Sequence, residues 1–158
     1  MKILIACEYS GVVRDAFIKK GHDAISCDIL ESESPGLHYK GDVLDILYDG
    51  FDMMIGHPPC TYLSNVSAIH YDVKKWGQKA IDRMAKRQLA IEFFKILQKA
   101  PIGKICLENP LPGKELTNEV GFYHQLIHHK YFFFFSLMLL LMLLLASLGF
   151  LLLSLLIW

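Results

Sequence analysis

Four short apolar runs, each broken off by a polar turn, constrain this chain more than any other feature. Residues 2–7, 24–27, 51–56 and 104–107 are too short for helices and too evenly apolar for strands with one wet face. They read as strands buried on both sides. Helical patterns lie between them. Residues 12–20 form one, closed by Gly21. Residues 79–100 form the longest, with Ile81, Met84, Ala85, Ile91, Phe94 and Leu97 near one face and Pro101 behind it. Residues 31–36 read as loop, and Gly41-Asp42-Val43 precedes a weak short helix. Strands alternating with helices at this spacing predict an α/β domain on a mostly parallel sheet.

In such sheets ligands gather beyond the carboxyl ends of the strands. Glu8, Asp28, Asp42, Cys60 and Glu108 each follow an apolar run or its equivalent, so they are expected along one edge. Charge bears on what that edge meets. The 16 basic and 16 acidic side chains cancel, yet residues 1–60 hold 5 Lys/Arg against 10 Asp/Glu and residues 61–130 hold 11 against 6. Neutrality overall therefore says nothing against an anionic partner that meets only the second half. None of the four cysteines forms a Cys-x-x-Cys pair, and His128-His129 has no acidic or cysteine ligand nearby, so no metal is expected. Cys7, Cys27 and Cys106 lie in or end an apolar run and read as small buried hydrophobes. The first five residues run straight into patterned sequence without a secretory leader, so reduced thiols in the cytoplasm are expected.

The chemistry-bearing stretch is Gly56-His57-Pro58-Pro59-Cys60. Two prolines fix the backbone and remove two amide donors, so the side chain that follows is presented rigidly. A thiol held there is poised as a nucleophile; the plainer reading is one more buried cysteine. Leu107-Glu108-Asn109-Pro110 ends the next long run, with one helix between. Adjacent parallel strands would bring Cys60 and Glu108 to the same rim, where a thiol beside a proton-sharing carboxyl suits attack on an electron-poor heterocycle. In the front half, Ser10-Gly11 turns the chain from strand to helix and Asp28 closes the second run. This is a nucleotide-binding arrangement in which Gly11 lets a ligand approach and Asp28 accepts both ribose hydroxyls. With no Gly-x-Gly-x-x-Gly present, a mere turn and a strand-end cap remain the alternative. Between Asp72 and Lys104 stand nine Lys/Arg and three Asp/Glu. Lys75, Lys79, Arg83, Lys86 and Arg87 recur near helical spacing, as a stripe that tracks phosphates or as a solvated helix face. Trp76 is expected in the core.

In order, Glu8-Tyr9-Ser10-Gly11, Asp28, Gly41-Asp42, Pro58-Pro59-Cys60 and Glu108-Asn109-Pro110 resemble the motifs of the cytosine carbon-5 DNA methyltransferases, across about residues 2–127. Cys7-Glu8-Tyr9-Ser10-Gly11 and His57-Pro58-Pro59-Cys60-Thr61-Tyr62-Leu63-Ser64 are most similar to small phage-type members. The resemblance implies a Rossmann-like S-adenosylmethionine-dependent methyltransferase fold with DNA as partner. It implies that Glu8, Tyr9, Ser10 and Gly11 surround the methionine part of the cofactor, with Pro58 also on the cofactor side, Asp28 at the ribose and Asp42 at the adenine. Cys60, presented by Pro59, would add to carbon 6 of a cytosine and make carbon 5 nucleophilic. Glu108 would hydrogen-bond ring nitrogen 3, with Asn109 and Pro110 holding its loop. In a duplex the base must first be flipped out.

After Pro110 the resemblance thins, which divides the chain into a catalytic domain, residues 1–130, incomplete at its C-terminal end, and a hydrophobic tail, residues 131–158. Only Ser136, Ser147, Gly149 and Ser154 in that tail fall outside the hydrophobic class. As a helix, the uncharged stretch 132–158 would extend about 40 Å, more than the ~30 Å hydrocarbon core of a bilayer. It reads as a candidate transmembrane helix anchoring a cytoplasmic domain, with His128-His129-Lys130 as flank. A shifted reading frame and a buried C-terminal helix are the alternatives. Two other functions compete. An amino-methyltransferase acting on adenine or cytosine commonly uses an Asp/Asn-Pro-Pro-aromatic loop, which His57 and Cys60 disfavour. A non-catalytic, membrane-tethered remnant would be marked by the tail.

Overall fold

The computed structural model describes residues 1–110 and 113–121. Five strands, β1 (Lys2–Ala6), β2 (Asp23–Asp28), β3 (His38–Lys40), β4 (Met53–Gly56) and β5 (Lys104–Leu107), form one sheet in the order β3-β2-β1-β4-β5. Every pairing is parallel, as buried apolar runs joined by crossovers require. The helices are α1 (Val12–Lys19), α2 (Val73–Trp76), α3 (Gln78–Gln98) and α4 (Lys114–Val120). The architecture is α/β, and the strand order is compatible with a Rossmann-like fold. Its order reverses at β1 and β4, where such sheets open a crevice past the strand ends.

Strand β1 is the centre of the core. Ile3, Leu4, Ile5 and Ala6 expose no surface. Alternation sends them to opposite faces. Leu4 and Ala6 pack with Val43, Leu47, Met54, Leu97 and Ile102, while Ile3 and Ile5 pack with Ala24, Val13 and Phe17. Helix α3 and the 43–47 segment therefore cover one face, and α1 the other.

Some expectations change on contact with the fold. Helix α3 buries Ala80, Ile91, Phe94 and Leu97, whereas Ile81 and Ala85 are exposed, because the C-terminal half does most of the packing. Cys106 is exposed rather than buried, since β5 is the outermost of the described strands and wets alternate residues. Trp76 is partly exposed and does not join the core clusters. The weak helix after Asp42 is a single 3-10 turn, Val43–Asp45. Polar β3, the 3-10 segment Asn65–His70 and α2 carry no apolar periodicity in the sequence.

The most connected polar group is Arg14 on α1, which is fully buried. Its Nη1 donates to Ser26 Oγ at 3.0 Å and Ser32 Oγ at 3.3 Å, and its Nη2 to Pro35 O at 3.0 Å and Ser34 O at 3.3 Å. Its Nε pairs with Asp15, whose other oxygen accepts from Ser34 Oγ at 2.8 Å. Those contacts with Arg14 and Ser34 hold the Asp15 carboxyl below its ordinary pKa. The guanidinium thus fastens the 32–37 loop to α1. Gly11 and Gly36, both at positive φ, make room for it: a Cβ would sit 2.5 Å from Nη2 at Gly11 and 2.8 Å from Cζ at Gly36.

No helix among the described residues is long and apolar enough to cross a membrane. The 131–158 tail and His128-His129-Lys130 lie outside the described residues. Replacing Arg14 with Met strands the Pro35 carbonyl and unties the 32–37 loop from α1, while Ser26 keeps His38 and Ser34 O keeps Ser32. Chemical denaturation should show a loss of about 2–4 kcal/mol, and Gly36→Ala should destabilise through the same contact.

Candidate active site

The turn that carries Cys60 is fixed at both ends. At its start, His57 N–H donates to Ala6 O at 2.9 Å, which ties the exit of β4 to β1. Pro58 is buried and Pro59 exposed. At its far end, Leu63 N–H and Ser64 N–H both donate to Cys60 O, at 3.0 and 3.1 Å. Leu63 is an apolar plug, 2% exposed, against Ile91, Phe94 and Leu116. Cys60 is half-buried between these anchors, so its backbone is held while its thiol stays reachable.

Glu108 arrives from the neighbouring strand. Its N–H donates to Gly56 O at 2.9 Å, extending the β4–β5 ladder one step beyond Leu107. Its carboxylate Oε2 lies 2.9 Å from His57 Nδ1. The rim therefore brings together the loop that begins at His57 and holds Cys60 and the loop that begins at Glu108. Asn109 Nδ2 donates to Pro110 O at 2.6 Å, so the side chain braces its own turn, and Asn109 Oδ1 is buried without a partner among the described residues. His57 stands before the prolines in the sequence, but nothing in its spacing marks it as a partner of Glu108.

The front edge lies at the same ends of the sheet, because Ala6 is level with Cys27 on β2 and with Gly56 on β4. Glu8 is buried and its carboxylate is engaged: Oε1 accepts from Val13 N–H at 2.7 Å and from Ser10 Oγ at 3.1 Å, and Oε2 from Arg14 N–H at 3.4 Å. It caps α1, where free N–H groups and the helix dipole attract a negative charge. Gly11 stands at positive φ and is crowded by Arg14 and Ser34, either of which already calls for glycine. Ser10 Oγ also accepts from Val12 N–H at 3.3 Å, and Tyr9 is exposed.

Asp28 and Asp42 each spend one oxygen on a local turn, accepting from Leu30 N–H at 2.9 Å and Leu44 N–H at 3.0 Å. Their second oxygens carry no hydrogen bond among the described residues. Both carboxylates stand near Cys7 and Cys27. Burial first, then the charges of Asp28 and Asp42, push the Cys7 thiol up to about 12. Burial, followed by Cys7 and the same two aspartates, does the same to Cys27. Neither thiol ionises near neutrality.

The basic residues divide. Lys79, Arg83 and Lys86 line a groove of about 350 Å³ with Tyr62, His70, Trp76 and Asp82. Arg83 braces the cysteine loop: Nη2 donates to Thr61 O at 2.9 Å and the guanidinium lies over the Tyr62 ring at 4.8 Å. Arg87 lies over Tyr71 at 4.0 Å, and Lys75 over Trp76 at 5.2 Å. Two of the five expected phosphate contacts thus hold loop aromatics from α3, which helical spacing alone does not reveal. Among the described residues no group of three or more His, Cys, Asp or Glu side chains could hold a metal ion.

In comparisons with known proteins, no family model, no curated protein and no solved structure matches this chain.

The four thiols should separate by reactivity. Iodoacetamide at pH 8, followed by peptide mass analysis, should modify Cys106 and Cys60 and leave Cys7 and Cys27 intact until denaturant is added. Raised pKa values make protonated Cys7 and Cys27 stabilising below the unfolded thiol value of 9.0. That contribution fades as pH climbs from there toward 12, so stability should fall across the same alkaline window.

Proposed function

We propose that this chain is a DNA cytosine carbon-5 methyltransferase that uses S-adenosylmethionine on a Rossmann-like fold. The observation that carries the reading is the β4–β5 rim, where Glu108 is bonded to Gly56 and His57, three residues before Cys60.

The front edge supports the cofactor. Asp28 keeps an oxygen for ribose hydroxyls, and Asp42 keeps one near it for an amino donor of the base. The N-terminus of α1, where a dinucleotide would rest its pyrophosphate, is already taken by the Glu8 carboxylate. A cofactor without phosphates fits that arrangement better than a dinucleotide does. S-adenosylmethionine, when bound, supplies an electrophilic methyl group on a sulfonium.

On the chain's side, the Cys60 thiolate adds to carbon 6 of cytosine, and the electron pair of the 5,6 double bond moves toward carbon 5. Glu108, acting as a carboxylic acid, gives its proton to ring nitrogen 3, where the displaced charge collects, and takes it back when the sulfur leaves. Once carbon 5 has gained its methyl group, a base removes the carbon-5 proton. The bond to sulfur then breaks, which restores the double bond and frees Cys60. Lys79 and Lys86, beside the cysteine loop, are suited to phosphates flanking the base.

Methyl transfer from labelled S-adenosylmethionine to unmethylated DNA of mixed sequence tests the proposal. Cys60→Ala should abolish incorporation, and Glu108→Gln should lower it about 10²–10³-fold. DNA carrying 5-fluorocytosine should trap wild type covalently and leave Cys60→Ala free. Transfer without a trapped adduct would mean an amino-methyltransferase, and equal incorporation by Cys60→Ala would end the reading. Lys79→Ala and Lys86→Ala should weaken DNA binding whatever the sequence and reduce the salt slope by about 1 each.

A further inference from the structure

We propose that His57 is a positioning residue: its Nδ1–H holds the carbonyl oxygen of the Glu108 carboxyl and leaves the O–H to face the target base. The inference rests on the reading of Glu108 given above. The imidazole is well placed for the task. Its backbone N–H is bonded to Ala6 O at 2.9 Å, the next residue is a buried proline, and the side chain is 30% exposed. Glu108, by contrast, is 71% exposed and has three side-chain torsions to order. Its one side-chain partner among the described residues is His57.

The surroundings also choose the tautomer. His57 Nε2 is buried and has no hydrogen-bond partner among the described residues. A proton there would be an orphan donor in the interior, which proteins tolerate less readily than an unused lone pair. An imidazolium would carry the same orphan. The remaining form is the neutral ring with its proton on Nδ1, directed at Glu108 Oε2, which therefore accepts. So exposed a pair adds little to stability. What it supplies is direction, since a carboxyl pinned through Oε2 presents its Oε1–H in one orientation.

His57→Phe keeps the ring volume without a donor, and His57→Asn keeps an amide N–H. In the methyl-transfer assay His57→Phe should lower kcat about 10–100-fold, with the KM for S-adenosylmethionine and the melting temperature unchanged, and His57→Asn should recover much of the loss. An unchanged kcat in His57→Phe overturns the inference. So does a loss matched by a fall in melting temperature and not repaired by Asn. The ring itself gives a readout independent of activity. Nitrogen-15 shifts of the apoprotein should show Nδ1 protonated and Nε2 bare, with Nδ1 moving in Glu108→Gln. A proton on Nε2 removes the proposed tie even in an active enzyme. The expected tautomer in a chain that transfers no methyl group supports the tie and removes the methyltransferase reading.

Discussion

Gly56 has no side chain, and Leu107 occupies the space one would take: a Cβ on Gly56 would lie 2.7 Å from Leu107 Cδ2. This close approach is what the proposed chemistry stands on. It lets β5 finish level with β4, so that the next amide, Glu108 N–H, reaches Gly56 O. Parallel strands cannot be joined by a tight hairpin, so the chain between them crosses over through α3. The crossover puts the 3-10 segment Asn65–His70, α2, all of α3 and β5 between Cys60 and Glu108 in sequence, while the ladder returns their loops to one rim. A side chain at 56 must displace the end of the Leu107 side chain, which packs between the two strands.

The opposite half of the rim reaches order by other means. A phosphate-binding turn leaves the helix N-terminus open to an anion. Here Glu8 fills that position from inside the chain and Arg14 binds the loop that follows β2. Two charged side chains and two positive-φ glycines therefore shape the approach to Asp28. Buried charge is costly unless fully bonded. Arg14 meets that condition with Ser26, Ser32, Ser34, Pro35 and Asp15.

The parallel sheet was legible in the sequence because buried strands leave uniform apolar runs, and the runs ending at Cys7, Asp28, Gly56 and Leu107 appear as β1, β2, β4 and β5. Strand β3 was not, since His38, Tyr39 and Lys40 are half wet and lack a pattern. The Cys60 and Glu108 turns stood out because proline and a strand end constrain geometry locally. The roles of Glu8, Arg14 and His57 depend on partners that only tertiary structure supplies. Arg14 left a faint trace, as the single arginine in residues 1–60, upstream of a loop rich in serine and glycine. Trp76 misled because size suggests burial, whereas α2 is short and stands at the groove.

Charge is partitioned along the rim. Thiolates form with difficulty beside carboxylates in a buried site. Cys7 and Cys27 sit among backbone and aspartates, where burial and the charges of Asp28 and Asp42 keep the proton on sulfur. Those same carboxylates keep acceptor oxygens free for hydroxyl and amino donors, so the acidic half suits a neutral or cationic ligand. Cys60 begins the other half, where the next carbonyl, Thr61 O, is held by the Arg83 guanidinium and the groove beyond is lined by Lys79 and Lys86. A polyanion is drawn to that side and repelled by the aspartates of the first. In the proposed reaction the acidic half of this edge would meet the cationic methyl donor and the basic half the anionic acceptor.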